Sequence, residues 1–391
     1  MIYVGIDVAK DKHDCCILSS ESKEPLCRFV FLNNAEGFQL FLQRIQAVEP
    51  DLRNIKVGLE ATGHYCCNIL GFLFDKGFDS YVINPLQTNQ FRKSTSLRRT
   101  KTDRIDARVI ATMMKSDAFL TPYSASLYHN QALKSLTRYR FTKIQERAKL
   151  KQSLARLVTI LFPELEKLVS TLHSQAVYAL LAEFPSARQI AACHLTHLTH
   201  LLSDASHGHF NQEKAVEIRD AARHSIGSDL LVESMELQHT IRLIREFDAE
   251  IDEVEEKIQK AMDELQSPIL SIPGIGFRMG AMILAEIGDI ARFDSPDKLL
   301  AYAGLSPTTY QSGKLVNAYS HMEKRGSRYL RYALFNAAKL VCIREPAFAT
   351  YLAKKRAEGK HYNAAIPHAV KKLVRLIFAL LKSGRPFCPA T

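Results

Sequence analysis

Short apolar runs alternate with polar turns along the first third of the chain, and helical spacing of apolar residues takes over afterwards. β-branched and apolar residues concentrate in five runs, which predict strands at residues 3–8, 15–18, 28–32, 55–60 and 80–83. Apolar residues three and four positions apart predict helices at 35–48 and 65–76. Because short connections join the first three runs, we expect these strands to form an antiparallel meander.

The predicted order, βββαβαβα, is that of the ribonuclease H-like fold, an α/β architecture whose first and fourth strands lie side by side. Asp7 leaves the first strand and Glu60 leaves the fourth. The last helix of the series carries Asp103 and Asp106, and it is expected to pack across the sheet. The order therefore predicts that four carboxylates from three distant parts of the chain converge.

That last helix begins in the stretch from Lys101 to Arg108. The Thr102 hydroxyl can cap the helix, which puts Asp103 in the first turn and Asp106 one turn later on the same face. Basic residues surround the two acids, namely Arg92, Lys93, Arg98, Arg99, Lys101, Arg104 and Arg108. A metal site facing a phosphate backbone requires such surroundings, but a solvated helix start with ion pairs has the same local pattern.

Four carboxylates at one place form a ligand set that suits Mg²⁺ or Mn²⁺. Two such ions can activate the attacking oxygen and stabilise the leaving oxygen of a phosphodiester. The predicted metal ligands are Asp7, Glu60, Asp103 and Asp106.

A rival interpretation starts from residues 4–8, Val-Gly-Ile-Asp-Val, because the actin-like sugar kinases and ATPases open in the same way. Those proteins need a second phosphate loop of the type Asp-x-Gly-Gly. The sequence contains no Gly-Gly dipeptide, so the kinase interpretation is disfavoured.

Composition points to a folded protein with an anionic partner. The 391 residues are 47% hydrophobic and 24% charged, and 52 Lys and Arg exceed 41 Asp and Glu for a net charge of +11. Because basic residues recur along the whole chain, nucleic acid is favoured over a membrane surface. There is neither a signal-peptide pattern nor an apolar run long enough for a membrane span. The eight cysteines lack CxxC spacing, so we expect reduced thiols and a cytoplasmic protein.

The middle of the chain predicts two long helices, a basic one at 127–168 and one at 233–265 with apolar residues at threes and fours. They can pair as an antiparallel arm, which would serve either dimerisation or packing within one chain. Between them, at 163–228, Cys193 with the three histidines that follow it, and with His207 and His209 beyond, resembles a metal cluster. Core packing of the interleaved leucines explains their period better, and no second cysteine lies near. The residues concerned are His194, His197, His200, Leu195, Leu198, Leu201 and Leu202.

The last third contains a glycine-rich turn and a polar loop. Residues 270–276, followed by an apolar helix, have the pattern of a helix-hairpin-helix, in which the backbone at Gly274 and Gly276 can approach a phosphate. A simple connector between helices is the alternative. The loop at 304–314 contains Ser312 and lacks the Gly-x-x-x-x-Gly-Lys of a P-loop. Chemistry alone does not distinguish Ser312 from an ordinary turn residue.

Together these segments resemble the transposases of the insertion-sequence 110 family, which join a RuvC-like DEDD domain to a C-terminal domain with a catalytic serine. The resemblance covers about residues 1–115 and 268–385. The matching motifs are Gly5-Ile6-Asp7-Val8-Ala9-Lys10, Glu60-Ala61-Thr62-Gly63, Ile83-Asn84-Pro85, Lys101-Thr102-Asp103, Asp106-Ala107-Arg108, Ile272-Pro273-Gly274-Ile275-Gly276, Ala303-Gly304-Leu305, Pro307, Ser312-Gly313, Gly326 and Leu330-Arg331.

The resemblance implies a role for each matching residue. The four acids bind divalent metal, and Ser312 attacks DNA to form a phosphoserine ester that conserves the bond for rejoining. It also implies a homo-oligomer, dimer or tetramer, in which the serine domain works beside the RuvC-like domain of another subunit, and a structured guide RNA from the element. The nucleic-acid contacts are expected at Arg98, Arg99, Lys101, Arg104, Gly274, Gly276, Arg325 and Arg328.

The expected domains are a RuvC-like domain at 1–120, a helical arm or coiled coil at 121–267 and a mainly α transposase domain at 268–391. The segment between the two long helices is longer than in compact members of the family. The expected setting is the nucleoid of a bacterial or archaeal cell. Two other classes fit the residues: a structure-specific nuclease of the Holliday-junction type with water as nucleophile, and a non-catalytic DNA-binding protein.

Overall fold

The computed structural model separates the chain into two compact units, Met1–His129 and Asn130–Thr391, which are described separately. It describes the backbone alone at residues 86, 125–130, 311, 312, 315 and 316. It describes all other residues except 23, 62, 96–101, 117–119, 121, 123, 124, 308–310, 313, 314, 317–321, 390 and 391.

The first unit is an α/β domain. Its strands are β1 (Ile2–Val8), β2 (Lys12–Ser19), β3 (Cys27–Leu32), β4 (Ile55–Glu60) and β5 (Asp79–Ile83). Its helices are α1 (Ala35–Val48), α2 (Cys66–Asp75), α3 (Pro85–Thr95) and α4 (Asp103–Lys115), with a 3₁₀ turn at Leu52–Asn54. The five predicted strands and the predicted helices α1 and α2 are confirmed, with ends that differ by at most three residues, and α4 begins after Thr102 as predicted. Helix α3 was not predicted, because its polar sequence has no apolar period.

The sheet has the order β3-β2-β1-β4-β5. The β1–β2 and β2–β3 pairs are antiparallel, whereas the β1–β4 and β4–β5 pairs are parallel. The prediction that the first and fourth strands are neighbours is therefore confirmed. Val4 and Ile6 point into a core shared with α1 and α2, so the alternation of β1 leaves Gly5 and Asp7 on the opposite face.

Helix α4 covers that opposite face at very short range. A Cβ at Gly5 would lie 2.2 Å from the Ala107 carbonyl oxygen and 2.4 Å from the Ala111 amide nitrogen. On the neighbouring strand, a Cβ at Gly58 would lie 2.7 Å from the Met114 side chain. Glycine at these two positions lets the backbone of α4 approach the sheet, and this approach brings the acids of α4 toward β1 and β4.

The described part of the second unit is mainly helical, with a two-stranded hairpin of β6 (Gln311–Ser312) and β7 (Leu315–Val316) and 3₁₀ turns at Pro268–Ser271 and Ile290–Arg292. Its helices are α5 (Ala125–Leu161, entering from the first unit), α6 (Leu165–Leu168), α7 (Gln175–Glu183), α8 (Ala187–Ala192), α9 (Leu195–Ala205), α10 (Gln212–Arg223), α11 (Leu231–Leu265), α12 (Phe277–Ile287), α13 (Pro296–Tyr302), α14 (Arg328–Arg344), α15 (Pro346–Ala357) and α16 (Tyr362–Ser383). The prediction of one helix over 127–168 was wrong at its end. Helix α5 stops at Leu161, since Pro163 cannot continue the hydrogen-bond ladder.

Ion pairs join the two long helices α5 and α11 within one chain. They link Arg140 to Glu255, Lys143 to Glu250, Arg147 to Asp248 and Arg156 to Glu236. Residue numbers rise along one helix as they fall along the other, so the helices are antiparallel, as predicted. A coiled-coil packing of the two helices stays a prediction.

Each end of this helix pair is embedded in its own core. Residues of α5, α6 to α10 and the first half of α11 form one hydrophobic cluster, and residues of α12 to α16 with the end of α11 form another. Leu198 and Leu202 are fully buried in the first cluster, which confirms the predicted leucine packing of the histidine-rich segment. None of the helices built from the described residues has the length and apolar content that crossing a lipid bilayer requires.

Candidate active site

The acids of the first unit gather at the carboxyl ends of two adjacent parallel strands. Ile6 of β1 is paired with Leu59 of β4. The next residues, Asp7 and Glu60, therefore lie beside each other at the ends of these two strands. Both lie on the face that α4 covers. The predicted convergence of the first two acids thus results directly from the parallel pairing of β1 and β4.

The start of α4 supplies the other two acids. Thr102 has an extended backbone and its side chain accepts a hydrogen bond from the Ile105 amide at 3.4 Å, which confirms the predicted cap. Asp103 is the first helical residue and is exposed, whereas Asp106, one turn later, is buried against the sheet.

Asp7 is the acid whose ionisation its surroundings affect clearly. Burial, together with the negative charges of Asp106, Asp103, Glu60 and Asp14, raises the pKa of Asp7 to about 7. A carboxyl group that is half protonated at neutral pH lies where burial and nearby negative charges disfavour its ionised form. A divalent cation bound at this position would stabilise the ionised form of Asp7.

The carboxylates do not form a closed coordination sphere. Throughout the described ranges, no three His, Cys, Asp or Glu side chains are grouped closely enough to hold a metal ion. Asp106 instead accepts a hydrogen bond from Arg92 at 3.3 Å, and Arg92 is in turn held by Asn89 at 2.9 Å. The chemistry of the four residues nevertheless fits a hard divalent ion, because each offers carboxylate oxygens. The raised pKa of Asp7 shows that a positive charge there would be favourable.

Asp14 belongs to this site and was missed in the sequence. It lies directly opposite Asp7 in the β1–β2 pair, is only 7% exposed, and is among the charges that raise the pKa of Asp7. A small pocket of about 80 Å³ lies beside it, lined in part by Arg28 and Arg104. The alternation of the predicted hairpin would have revealed Asp14, had the second strand been begun at Lys12 instead of Cys15.

The second unit carries Ser312 on its two-stranded hairpin. The backbone of Ser312 pairs with Leu315. On either side of this hairpin in the chain, an isolated bridge joins Pro307 to Met322, and the Glu323 amide donates a hydrogen bond of 3.1 Å to the Ser306 carbonyl. Ser312 is thus mounted on a short hairpin, and its side chain lies outside the described residues.

The base of this serine hairpin, residues 302–307 and 322–327, is fixed to the rest of the unit. Gly326 has a φ of 126°, and a Cβ there would lie 2.2 Å from the Tyr302 carbonyl oxygen. The Ser327 amide donates to that same carbonyl at 2.9 Å. Arg331 donates to the Ala303 carbonyl at 3.0 Å and to the Lys324 carbonyl at 3.2 Å.

The predicted nucleic-acid contacts fall into three groups. Arg98, Arg99 and Lys101 lie outside the described residues. Arg104, Arg325 and Arg328 are exposed. The third group is the pair of turn glycines, Gly274 and Gly276.

Those two glycines differ in their surroundings. Gly274 has a φ of 94°, and a Cβ there would lie 2.7 Å from the backbone of Leu340 and Val341, so this glycine permits close packing against α14. Gly276 precedes α12 and has open space around it. Of the two, Gly276 is the one that a ligand could approach.

Comparisons with known proteins place this chain among the transposases of insertion sequences. A family model for transposases of the DEDD, IS110 type matches residues 4–163, and a model described as "Transposase IS116/IS110/IS902 family" matches residues 266–353. The pilin gene-inverting protein of Moraxella bovis is 26% identical over 98% of this chain and 97% of its own length. The 44.8 kDa protein of insertion element IS116 from Streptomyces clavuligerus is 24% identical over 100% of this chain and 96% of its own.

Among solved structures, RuvC of Thermus thermophilus aligns with 32% of this chain and 100% of its own, at 16% identity and a TM-score of 0.24. The fold of the first unit is therefore assigned from its strand order. The two family matches together take up more than half of the chain, and the relatives align along nearly its whole length. The chain belongs to the IS110 family of insertion-sequence transposases.

Proposed function

We propose that this transposase, one of a family of enzymes that cleave and rejoin DNA, acts through a metal-dependent acid site and a covalent ester with Ser312. The observation that carries the proposal is the gathering of Asp7, Glu60, Asp103 and Asp106 at one edge of the sheet, where burial and the neighbouring negative charges raise the pKa of Asp7 to about 7. A protein that only bound DNA would have no use for such a costly concentration of like charge.

The four acids would hold Mg²⁺ or Mn²⁺. Bound there, the ion would supply Lewis acidity to the phosphodiester oxygens. Asp106 would have to exchange its hydrogen bond to Arg92 for the ion. Arg92 would then be released beside the site, where its guanidinium can bind a phosphate oxygen of the substrate strand.

Ser312 would be the nucleophile. Its hydroxyl oxygen forms a new ester bond to phosphorus, one phosphorus–oxygen bond to deoxyribose breaks, and the serine proton passes to solvent or to the leaving oxygen. Because one ester replaces another, rejoining is the reverse exchange and needs no ATP. Two observations support this role, since a nucleophile must be positioned accurately: the backbone of Ser312 is paired in a hairpin, and several hydrogen bonds hold the flanking segments 302–307 and 322–327.

The partners would be the DNA of the element ends and of the target, a structured guide RNA and further copies of this chain. The net charge of +11 suits the binding of phosphate backbones. Exposed Arg104, Arg325 and Arg328, with the open backbone at Gly276, offer contacts that do not depend on base sequence. Arg98, Arg99 and Lys101 would add to them.

Recombination between two plasmids tests the proposal. One plasmid carries the joined element ends with the flanking RNA gene, and the other carries a target. We expect Ser312→Ala and Asp103→Asn to abolish recombination, and Ser312→Ala also to abolish the protein–DNA adduct on denaturing gels. Matched controls are Ser306→Ala at the hairpin base and Asp75→Asn on the exposed side of α2, and both should stay active. DNA cleavage that persists in Ser312→Ala with Mg²⁺ would indicate a hydrolytic nuclease instead.

Mixed oligomers test the use of two subunits. If the serine of one subunit works with the acids of another, a mixture of Ser312→Ala and Asp103→Asn proteins contains some sites with both functional groups. Recombination should then recover partly, whereas sites built within one subunit would leave the mixture inactive. Omitting the RNA gene from the donor plasmid tests the guide RNA in the same assay, and recombination that continues without it would refute that partner.

A further inference from the structure

Among the described residues of the second unit, the most enclosed charged group is Glu286 of α12, whose side chain is 0% exposed. It accepts hydrogen bonds from Arg138 Nε at 2.6 Å, from Arg138 Nη2 at 3.0 Å and from the Ser327 hydroxyl at 2.7 Å. Burial raises the pKa of Glu286, but the hydrogen bonds from Arg138 and Ser327 outweigh it and hold the pKa below its usual range. The carboxylate is therefore charged, and it ties together α5, α12 and the start of α14.

Arg138 is fixed on one side and open on the other. Its side chain is 41% exposed although two of its nitrogens are bound to Glu286. Its Cζ lies 4.6 Å from the centre of the Tyr329 ring. A guanidinium that is held from behind by a buried carboxylate keeps a fixed direction for the N–H groups of Nη1, and such a fork suits a phosphate oxygen.

A second guanidinium lies at the same aromatic ring. The Cζ of Arg328 is 4.8 Å from the ring centre of Tyr329, and its Nη2 donates to the Tyr329 hydroxyl at 2.8 Å. Arg328 is exposed. Two cations at one ring repel each other, so an anion that contacted both would be stabilised by both.

This pair of arginines stands next to the serine hairpin. Ser327, which donates to Glu286, also caps α14 by accepting from the Leu330 amide at 3.1 Å, and its own amide closes the hairpin base. Glu286 thus holds both Arg138 and one end of the hairpin that carries Ser312. Any group bound to Arg138 is held in a fixed position relative to that base.

We propose that Arg138 and Arg328 bind one phosphate of the DNA strand that Ser312 attacks, with Glu286 as the positioning residue that orients Arg138. This inference rests on the proposed function, because it gives the phosphate the task of placing the strand for the serine. A purely structural ion pair would not need the exposed edge of Arg138 or the second guanidinium at Tyr329. The ligand is a phosphodiester, and the experiment below separates DNA from RNA as its source.

Salt-dependent DNA binding by the full chain tests the site. The probe is a fluorescein-labelled duplex of an element end, titrated at several NaCl concentrations. Arg138→Gln alone would leave Glu286 buried without its partner, so the main variant is Arg138→Gln with Glu286→Gln. We expect its affinity to fall about tenfold and the slope of log K against log salt to fall by about one. Arg138→Lys, which keeps the charge without the fork, should recover part of the affinity.

One control variant and one further test variant separate the site from general effects. Arg147→Gln removes an ion pair of the same helix, with Asp248, and should leave the salt slope unchanged. Arg328→Gln lies on the surface and cannot disturb the core, so it should reproduce the loss of slope even if the double variant fails to fold. An unchanged slope in Arg328→Gln, or in a double variant that melts like wild type, would overturn the proposal.

Binding of the labelled guide RNA is measured with the same variants. A loss of slope for RNA but not for the duplex would overturn the assignment to DNA. Ser312→Ala should bind the duplex with the full slope while forming no adduct. If Ser312→Ala still formed the adduct, the serine mechanism would be wrong, whereas the phosphate site would still be decided by the binding data alone.

Discussion

At the scale of single residues, the candidate acid site depends on the absence of a side chain at Gly5 as much as on the carboxylates themselves. The acids of α4 reach Asp7 because the α4 backbone lies against β1, and a side chain at Gly5 would occupy that space. Asp14, on the neighbouring strand β2, acts through its negative charge, which helps to raise the pKa of Asp7.

Gly5→Ala is expected to destabilise the first unit by about 1–3 kcal/mol, because the new methyl group would overlap the Ala107 carbonyl and force α4 away from the sheet. Recombination should be lost, since Asp103 and Asp106 move with the helix. Chemical unfolding and the plasmid assay measure the two effects. Gly71→Ala is the control, because nothing lies within 4 Å of that position inside α2. It should be neutral or slightly stabilising.

Glu286→Gln is expected to lower the free energy of unfolding of the second unit by about 2 kcal/mol at neutral pH, through the lost bonds to Arg138 and Ser327. The folded pKa of Glu286 lies below its ordinary value of 4.5. The contribution of ionised Glu286 to the free energy of unfolding is therefore complete above pH 4.5 and is lost as the pH falls through the folded pKa. Urea unfolding at pH 7, 5 and 3 should show the difference between wild type and variant shrinking.

The control for the pH series is Glu253→Gln, which removes an exposed pair with Lys257 on α11. That substitution should change the unfolding curve little at any pH. A wild-type advantage over Glu286→Gln that stayed constant down to pH 3 would contradict an ionised Glu286.

At the scale of elements, α4 connects the fold to the site. Its N-cap sets where the helix starts, and hence the direction in which Asp103 points, while its buried face sets the depth of Asp106. In the second unit, the short hairpin β6–β7 has the corresponding task of holding Ser312. The Thr102 cap fixes the start of α4. In the second unit, hydrogen bonds of Ser327 fix the segment that follows the hairpin.

Thr102→Ala removes the cap acceptor and should destabilise the start of α4 by about 1 kcal/mol. Fraying of the first turn would displace Asp103, so we expect recombination to fall about fivefold to tenfold. Thr102→Ser keeps the hydroxyl and should retain activity. Equal activity of the alanine and serine variants would show that the cap does not control the position of the acid.

At the scale of the whole molecule, the chain consists of two units that each have their own hydrophobic clusters. Among the described residues, every hydrophobic cluster belongs to one unit, with three clusters in Met1–His129 and two in Asn130–Thr391. The acids belong to the first unit and the serine hairpin belongs to the second. A core that is complete within one unit can fold by itself.

Fragments 1–129 and 130–391 are therefore each expected to unfold cooperatively, as followed by circular dichroism on heating. Leu59→Ala, which truncates a fully buried residue of the first core, should lower the stability of fragment 1–129 by about 2–5 kcal/mol. In the full chain it should shift only the transition that corresponds to that fragment. An unfolded 1–129 fragment would show instead that the first unit needs the second.

Local patterns sufficed to predict much of this structure. The five strands, the helices α1, α2 and α4, the Thr102 cap and the adjacency of β1 and β4 all follow from alternation, helical spacing and capping chemistry. Helix α3 was missed and α5 was drawn too long, because the first has no apolar stripe and the second is followed by a short helix beyond Pro163. A domain division at 120 and 267 stays a prediction.

The primary sequence was enough to identify Asp7, Glu60, Asp103 and Asp106 as candidates, since strand ends and helix turns are properties of neighbouring residues. Long-range contacts decided the rest. The raised pKa of Asp7 and the charge that Asp14 adds beside it depend on residues far apart in the chain. The bonds of Arg92 to Asp106 and of Ser327 to Glu286 likewise join distant residues. Such contacts arise only when elements pack, because burial and proximity in space set the energy of a charge, and no local pattern encodes either.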